Sequence, residues 1–167
     1  MNHEGVVSAQ DRLYQALCTL LTQAGAPYRT LHHEPTVTSE ASARVRGEEL
    51  RIGGKALVLK VGEDFRLCVL SAARQLDSLA VKQHFAVKKI RFASPEELLR
   101  LTGLVPGSVP PFGKPLLPFD LFLDSSFLDN ERIAFNAGSL TDSIIMAVGD
   151  YLTVAQPAIF PFSSPRS

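Results

Sequence analysis

A long apolar run is missing from this chain. Nowhere do uncharged hydrophobic residues approach the roughly 20 in succession that span a bilayer, so a soluble globular protein is expected. Cysteine is scarce as well: Cys18 lies in a helical pattern and Cys68 in a strand pattern. Two such residues are too few for a disulfide framework and lack metal-ligand spacing, and both are read as buried thiols. Excess charge of either sign is absent, since 17 basic and 17 acidic residues leave a formal net charge of zero. A protein that grips long nucleic acid unaided usually carries a basic excess. Any nucleic acid handled here is therefore expected to be touched over a small area or delivered by a partner. The opening MNHEGVVSAQD has neither the basic start nor the apolar run of a secretory signal, which makes the expected location cytoplasmic.

What is present suits one domain. The chain has 167 residues, 46% of them hydrophobic, enough to bury a real core. SAQDRLYQALCTLLTQAG sets Leu13, Leu17, Leu20 and Leu21 on one helical stripe, with Ser8 as N-cap and Gly25 as stop. PYRTLHH is short and extended, and a capped helix from about Thr38 to Arg46 ends at Gly47. KALVLKVG and DFRLCVLS, joined by Gly62, Glu63 and Asp64, have the composition of a β-hairpin. RQLDSLAVKQHF reads as a short helix, VKKIRFA as a strand, and SPEELLRLTG as a helix with Ser94 as cap and Pro95 in its first turn. LVPGSVPPFGKPLLP is a long loop of the kind that is functional or disordered. FDLFLD, ERIAFN and SIIMAV read as strands, AGSLTD as a turn and GDYLTVA as a last helix. Helices scattered among hairpin-linked strands predict an α+β fold with a mixed, mainly antiparallel sheet. The domain is assigned to residues 1–156, and 157–167 to a Pro/Ser-rich tail that is loosely held unless Phe160 and Phe162 dock.

The chemistry narrows by elimination. GGK at Gly53–Lys55 is no phosphate loop, because Glu49 stands where its first glycine belongs and Ala56 where its hydroxyl belongs. His32 and His33 are neighbours on a strand and point to opposite faces, so no metal site is expected there. No glycine-flanked serine forms a nucleophile elbow. Three features survive: Lys55 behind two glycines, the turn VPPFG from Val109 to Gly113, and the turn NAGSLTD from Asn136 to Asp142. Each has an ordinary alternative. Gly53 and Gly54 also suit a turn entering a strand, Phe112 and Gly113 loop punctuation, and Gly138 a hairpin turn. Arg44, Arg46 and Arg51 could steer RNA, or form a solvated face.

The segments YRTLHHEPTVTSEAS, GGKALVLKVGEDFRLCVLSAARQLD, KKIRFASPEELLRLTGLVPGSVPPFG and LFLDSSFLDNERIAFNAGSLTDSIIM resemble, in order and spacing, the YbaK-like proteins and the editing domain inserted into bacterial prolyl-tRNA synthetases. The likeness runs from about Tyr28 to Leu152. It implies a compact α+β domain that hydrolyses the ester of a mischarged aminoacyl-tRNA, a small amino acid such as Cys, Ala or Ser on proline tRNA. It also implies recognition of the tRNA acceptor end, a possible synthetase partner, and no cofactor, metal or membrane. The family's essential lysine opens the strand with the KxLxL pattern, here Lys55 rather than Lys60. Lysine is ordinarily a cation near neutrality and a poor base, so its implied task is to hold the acceptor end or to offset charge developing on the ester carbonyl. Gly54, Phe112, Gly113, Asn136, Gly138, Ser139 and Asp142 are the implied substrate-binding residues. Amides of Gly113 and Gly138 would bind the carbonyl oxygen or a water, and Asp142 the substrate amine. NAGSLTD departs from the His-Pro of the alanine-specific branch and is closer to the YbaK-like one. A non-catalytic module of the same fold, binding tRNA or a synthetase, is the competing reading.

Overall fold

A computed structural model describes residues 8–166. Helix α1, Ala9–Gln23, starts where Ser8 accepts the Asp11 amide, and buries Leu13, Leu17 and Leu21. Strand β1, Tyr28–His32, precedes α2, Ser39–Arg46, which is capped by Thr38 and stopped by Gly47 in the left-handed region at φ 69°. No β-carbon is there to resist that conformation.

The long hairpin pairs β2, Gly54–Val61, with β3, Asp64–Ser71. Its loop is only Gly62 and Glu63, one residue tighter than expected, because Asp64 already pairs with Val61. The apolar side chains of β3 are covered on both faces, and Leu67, Cys68, Val69 and Leu70 are all buried. Strand β4, Arg74–Leu76, takes up the start of a segment expected to be helical, and α3, Ser78–Phe85, begins after Asp77 caps the Ala80 amide. Strand β5, Ile90–Phe92, and α4, Pro95–Thr102, follow. Around the start of α4, Ser94 and Glu97 satisfy each other's backbone amides in a capping box. Residues 103–120 form no helix or strand, yet the loop is not loose: Phe112, Leu117 and Phe119 are buried. Strands β6, Leu121–Asp124, β7, Arg132–Asn136, and β8, Asp142–Ala147, lead into α5, Val148–Ala155.

Two larger sheets result. One runs β1-β8-β7 and is antiparallel throughout. The other is a mixed sheet of order β5-β2-β3-β6, with β3 and β6 parallel. A parallel bridge between Gly53 and Ala134 stitches the sheets together at the start of β2. The main core lies between them, with α1, α5 and the long loop packed on it.

The tail docks through Phe160 and Phe162, the case the sequence left open, and adds two strands that were not expected. Strand β9, Ala158–Phe160, adds to the mixed sheet parallel to β6, and β10, Ser163–Pro165, pairs with β4. Phe160 and Phe162 are buried in a second apolar cluster with Phe122, Val81 and Leu70. Its anchor is Asp124, which accepts the Phe162 amide at 2.7 Å and the Ser163 hydroxyl at 2.6 Å. Burial alone would raise this carboxyl, but the donors from Ser126, Ser163 and Phe162 outweigh it and hold the group below its ordinary range. Cys68 is buried, its thiol pushed up to about 12 by burial, whereas Cys18 is only half-buried. No helix among the described residues is long and apolar enough to cross a membrane.

Candidate active site

A cleft of about 290 Å³ opens where the two sheets meet. The start of β2 forms its floor, the segment from Thr36 to α2 one wall, and the long loop at Pro106–Val109 the other. Lys55 lines it, exposed, with no salt bridge or side-chain hydrogen bond among the described residues. Lys60, at the far end of β2, lies over the Phe65 ring instead.

The glycines before Lys55 are required by packing. A β-carbon on Gly54 would stand 2.8 Å from Ile133 Cδ1 on β7, and one on Gly53 would stand 3.1 Å from Ala72 Cβ. Their bareness lets the sheets approach, and the cleft lies at that junction.

Arg46 also lines the cleft, and here the sequence misled. Read with Arg44 and Arg51 as steering RNA or as a solvated face, it is 92% buried, while Arg44 and Arg51 remain on the outside. It meets no carboxylate within ion-pair distance among the described residues. Its Nε donates to Ser143 Oγ at 3.0 Å and its Nη2 to Asn136 Oδ1 at 2.9 Å. Its Nη1 has no protein acceptor among the described residues. Burial pushes its pKa down to about 10, which still leaves a cation at neutral pH.

The fork under Arg46 is itself braced. Asn136 Nδ2 donates to the Gly107 carbonyl at 2.7 Å, tying the β7–β8 turn to the long loop. His33 Nδ1 faces the Glu34 carbonyl at 2.9 Å, so it is the ring's donor. In the neutral ring Nε2 then accepts the Ser143 hydroxyl at 2.8 Å. Ser143 was not singled out from sequence, and His33 was weighed only as a metal ligand and set aside. The only local signal was the paired histidine, and nothing nearby marks its partner 110 residues away.

The other sequence candidates disperse. Gly54 and Asn136 line the cleft. Phe112 does not: it is buried against Phe135 and Tyr151. A β-carbon on Gly113 would sit 2.5 Å from the Phe119 carbonyl, so this glycine serves the loop's close return on itself. Gly138, at φ 96°, gives its amide to the Ser108 carbonyl at 2.9 Å, which holds the cleft wall and leaves that N–H unavailable to a substrate. Ser139 and Asp142 sit together outside the cleft lining. Asp142 Oδ1 pairs with His32 Nδ1 at 2.8 Å, and its Oδ2 accepts the Ser139 hydroxyl at the same distance. Burial would raise the Asp142 carboxyl, yet the bonds from His32 and Ser139 hold it below its ordinary value. It is committed to the turn.

The result is a small cleft with two cations and a run of hydroxyls from Thr36, Thr38, Ser39 and Ser42, and with no carboxylate or imidazole in its lining. Among the described residues no cluster of His, Cys, Asp or Glu could hold a metal ion. Such a site can neutralise developing negative charge and offer hydroxyl hydrogen bonds. It supplies no side-chain base.

Comparison with known proteins gives a consistent result. The model of the aminoacyl-tRNA editing domain matches residues 33–154. The Escherichia coli K12 protein named multifunctional Ser/Thr-tRNA deacylase ProXp-y is 39% identical over 156 residues, covering 89% of this chain and 92% of that protein. A crystal structure of a candidate trans-editing enzyme for prolyl-tRNA synthetase superposes with a TM-score of 0.81 at 22% identity, covering 96% of this chain and 99% of that one. A hypothetical protein of known structure superposes with a TM-score of 0.78 at 20% identity, over 89% and 99% of the respective chains. At those identities the two structures speak for the fold alone.

Proposed function

Because the chain belongs to the aminoacyl-tRNA editing domain family, we propose that it hydrolyses, in trans, the ester joining serine or threonine to the 3′ end of a tRNA, with Lys55 as the catalytic cation. The observation that carries this reading is Lys55 itself: a cation without an ion pair among the described residues, on the rim of a cleft large enough for a small aminoacyl group. Water attacks the ester carbonyl, the C–O bond to the ribose breaks, and the departing ribose oxygen leaves as a hydroxyl. The negative charge on the carbonyl oxygen during attack is offset by the Lys55 ammonium. With no base in the lining, proton transfer falls to water and to the neighbouring ribose hydroxyl of the substrate. The protein contributes position and charge.

Serine and threonine are favoured over alanine by the hydroxyl-bearing wall. Thr36 and Ser42 already bond to each other at 2.7 Å, and each oxygen keeps acceptor capacity for a substrate hydroxyl. The name of the Escherichia coli relative points the same way. Purified protein offered tRNAs charged with serine, threonine, alanine or cysteine should release the first two fastest. Lys55→Ala should cut release by at least about 10²-fold, the typical loss when one oxyanion-stabilising donor is removed. Intact esters throughout, or a fully active Lys55→Ala, would overturn the reading.

A further inference from the structure

A second hollow, of about 220 Å³, lies across Lys55 from the cleft and shares Ser39, Lys55, Leu57 and Ala72 with it. We propose that this hollow seats the unpaired nucleotide preceding the 3′-terminal adenosine of an RNA, with its base stacked on Phe92 and its phosphate facing Arg74 and Arg166. The inference rests on the cleft taking the aminoacylated end, and it adds the direction in which the strand leaves.

Charge decides that direction. The wall opposite Lys55, from Pro106 to Val109 with Leu140, carries no cation. The hollow carries Arg74 and Arg166 beside Lys55, against the single acid Glu40. Glu40 is already paired with Arg166 Nη1 at 3.1 Å. Both guanidiniums have donors to spare, since Arg74 uses Nε and Nη2 on Ser163, and Arg166 uses only Nη1, on Glu40 and the Ala72 carbonyl. Among the residues lining the cleft and the hollow, every cation except the buried Arg46 lies on this side, so a polyanionic strand leaving the cleft is drawn this way.

Phe92 supplies the second half of such a seat. It is 59% exposed on β5, the edge strand of the mixed sheet, and lines the hollow beside Leu57. Base-on-aromatic stacking next to a cation is how single strands are held without duplex readout. Both arginines are positioned by the C-terminal strand: Arg74 clasps Ser163 of β10, and Arg166 follows it. The docked tail thus builds the hollow.

The test is fluorescence anisotropy with a labelled, uncharged RNA hairpin ending in an unpaired 3′ CCA, beside the same hairpin trimmed blunt. The tailed hairpin should bind more tightly. Phe92→Ala should weaken it about 5- to 100-fold, as loss of one stacked base implies, and leave blunt binding unchanged. Phe92→Tyr should restore it, and Arg166→Gln should flatten the salt dependence by about 0.7 in log–log slope. Phe92→Ala binding the tailed hairpin as well as wild type does, or weakening both hairpins equally, overturns the proposal. Binding needs no turnover, so this pattern beside intact esters removes the deacylase reading alone, while ester cleavage with a neutral Phe92→Ala removes the nucleotide seat alone.

Discussion

Lys55 and Arg46 both line the cleft, yet their substitutions should read differently. Lys55 is exposed and unbonded among the described residues, so Lys55→Ala should leave thermal unfolding within about 0.5 kcal/mol of wild type while abolishing release. A melting curve beside a deacylation time course checks both halves. Arg46 is structural as well as charged, held by Ser143 and Asn136. A lysine there keeps the charge but cannot span the two acceptors as the planar fork does. Arg46→Lys should therefore cost about 1–3 kcal/mol in urea unfolding, the penalty for stranding buried hydrogen-bonding groups. Unchanged stability would show that the fork is not needed. Lys55 was legible because glycines and a strand punctuate it locally and a family likeness marks it. Burial of Arg46 was not legible, since its acceptors lie 97 and 90 residues away in sequence.

Among the elements, the capped helices and the apolar strands matched the reading, whereas β4, β9 and β10 did not. Ser8, Thr38 and Ser94 cap their helices as their sequence contexts indicate, and Gly47 and Gly103 close two of them. Strands β9 and β10 carry no such signal: a Pro/Ser-rich stretch becomes ordered only because β6 and β4 have free edges to receive it. Their hold on the body depends on Asp124. Since its folded carboxyl lies below its unfolded value, it stabilises the tail above about pH 4, and that contribution fades as pH falls through the lower folded value. Asp124→Asn should loosen the tail at neutral pH and remove this part of the acid dependence, which hydrogen exchange at the Phe162 amide would report. At the sheet junction, Gly54→Ala should cost about 1–3 kcal/mol, the usual penalty for overpacking, because the new β-carbon would stand 2.8 Å from Cδ1 and 3.0 Å from Cγ1 of the fully buried Ile133, which must shift within the core.

At the scale of the molecule, zero net charge and a cationic cleft are compatible because the cations are gathered rather than numerous. Three of them, Lys55, Arg74 and Arg166, face the second hollow. If Arg74 and Arg166 are the main phosphate contacts, tRNA affinity should fall with salt at a log–log slope of about −1.4. A slope of about −6 in a salt titration would require a far wider RNA footprint. The scatter of helices among hairpin-linked strands anticipated the α+β class. That pattern could not locate the cleft, which arises where Gly53 bridges to Ala134 across two sheets. The parallel β6–β9 ladder and the short β10 also set an order of events during synthesis. Residues 158–166 must emerge from the ribosome before the mixed sheet gains its last edge and Arg166 reaches Glu40. A nascent chain whose residues 158–166 still lie in the exit tunnel therefore lacks both the last strand of the mixed sheet and the arginine that meets Glu40.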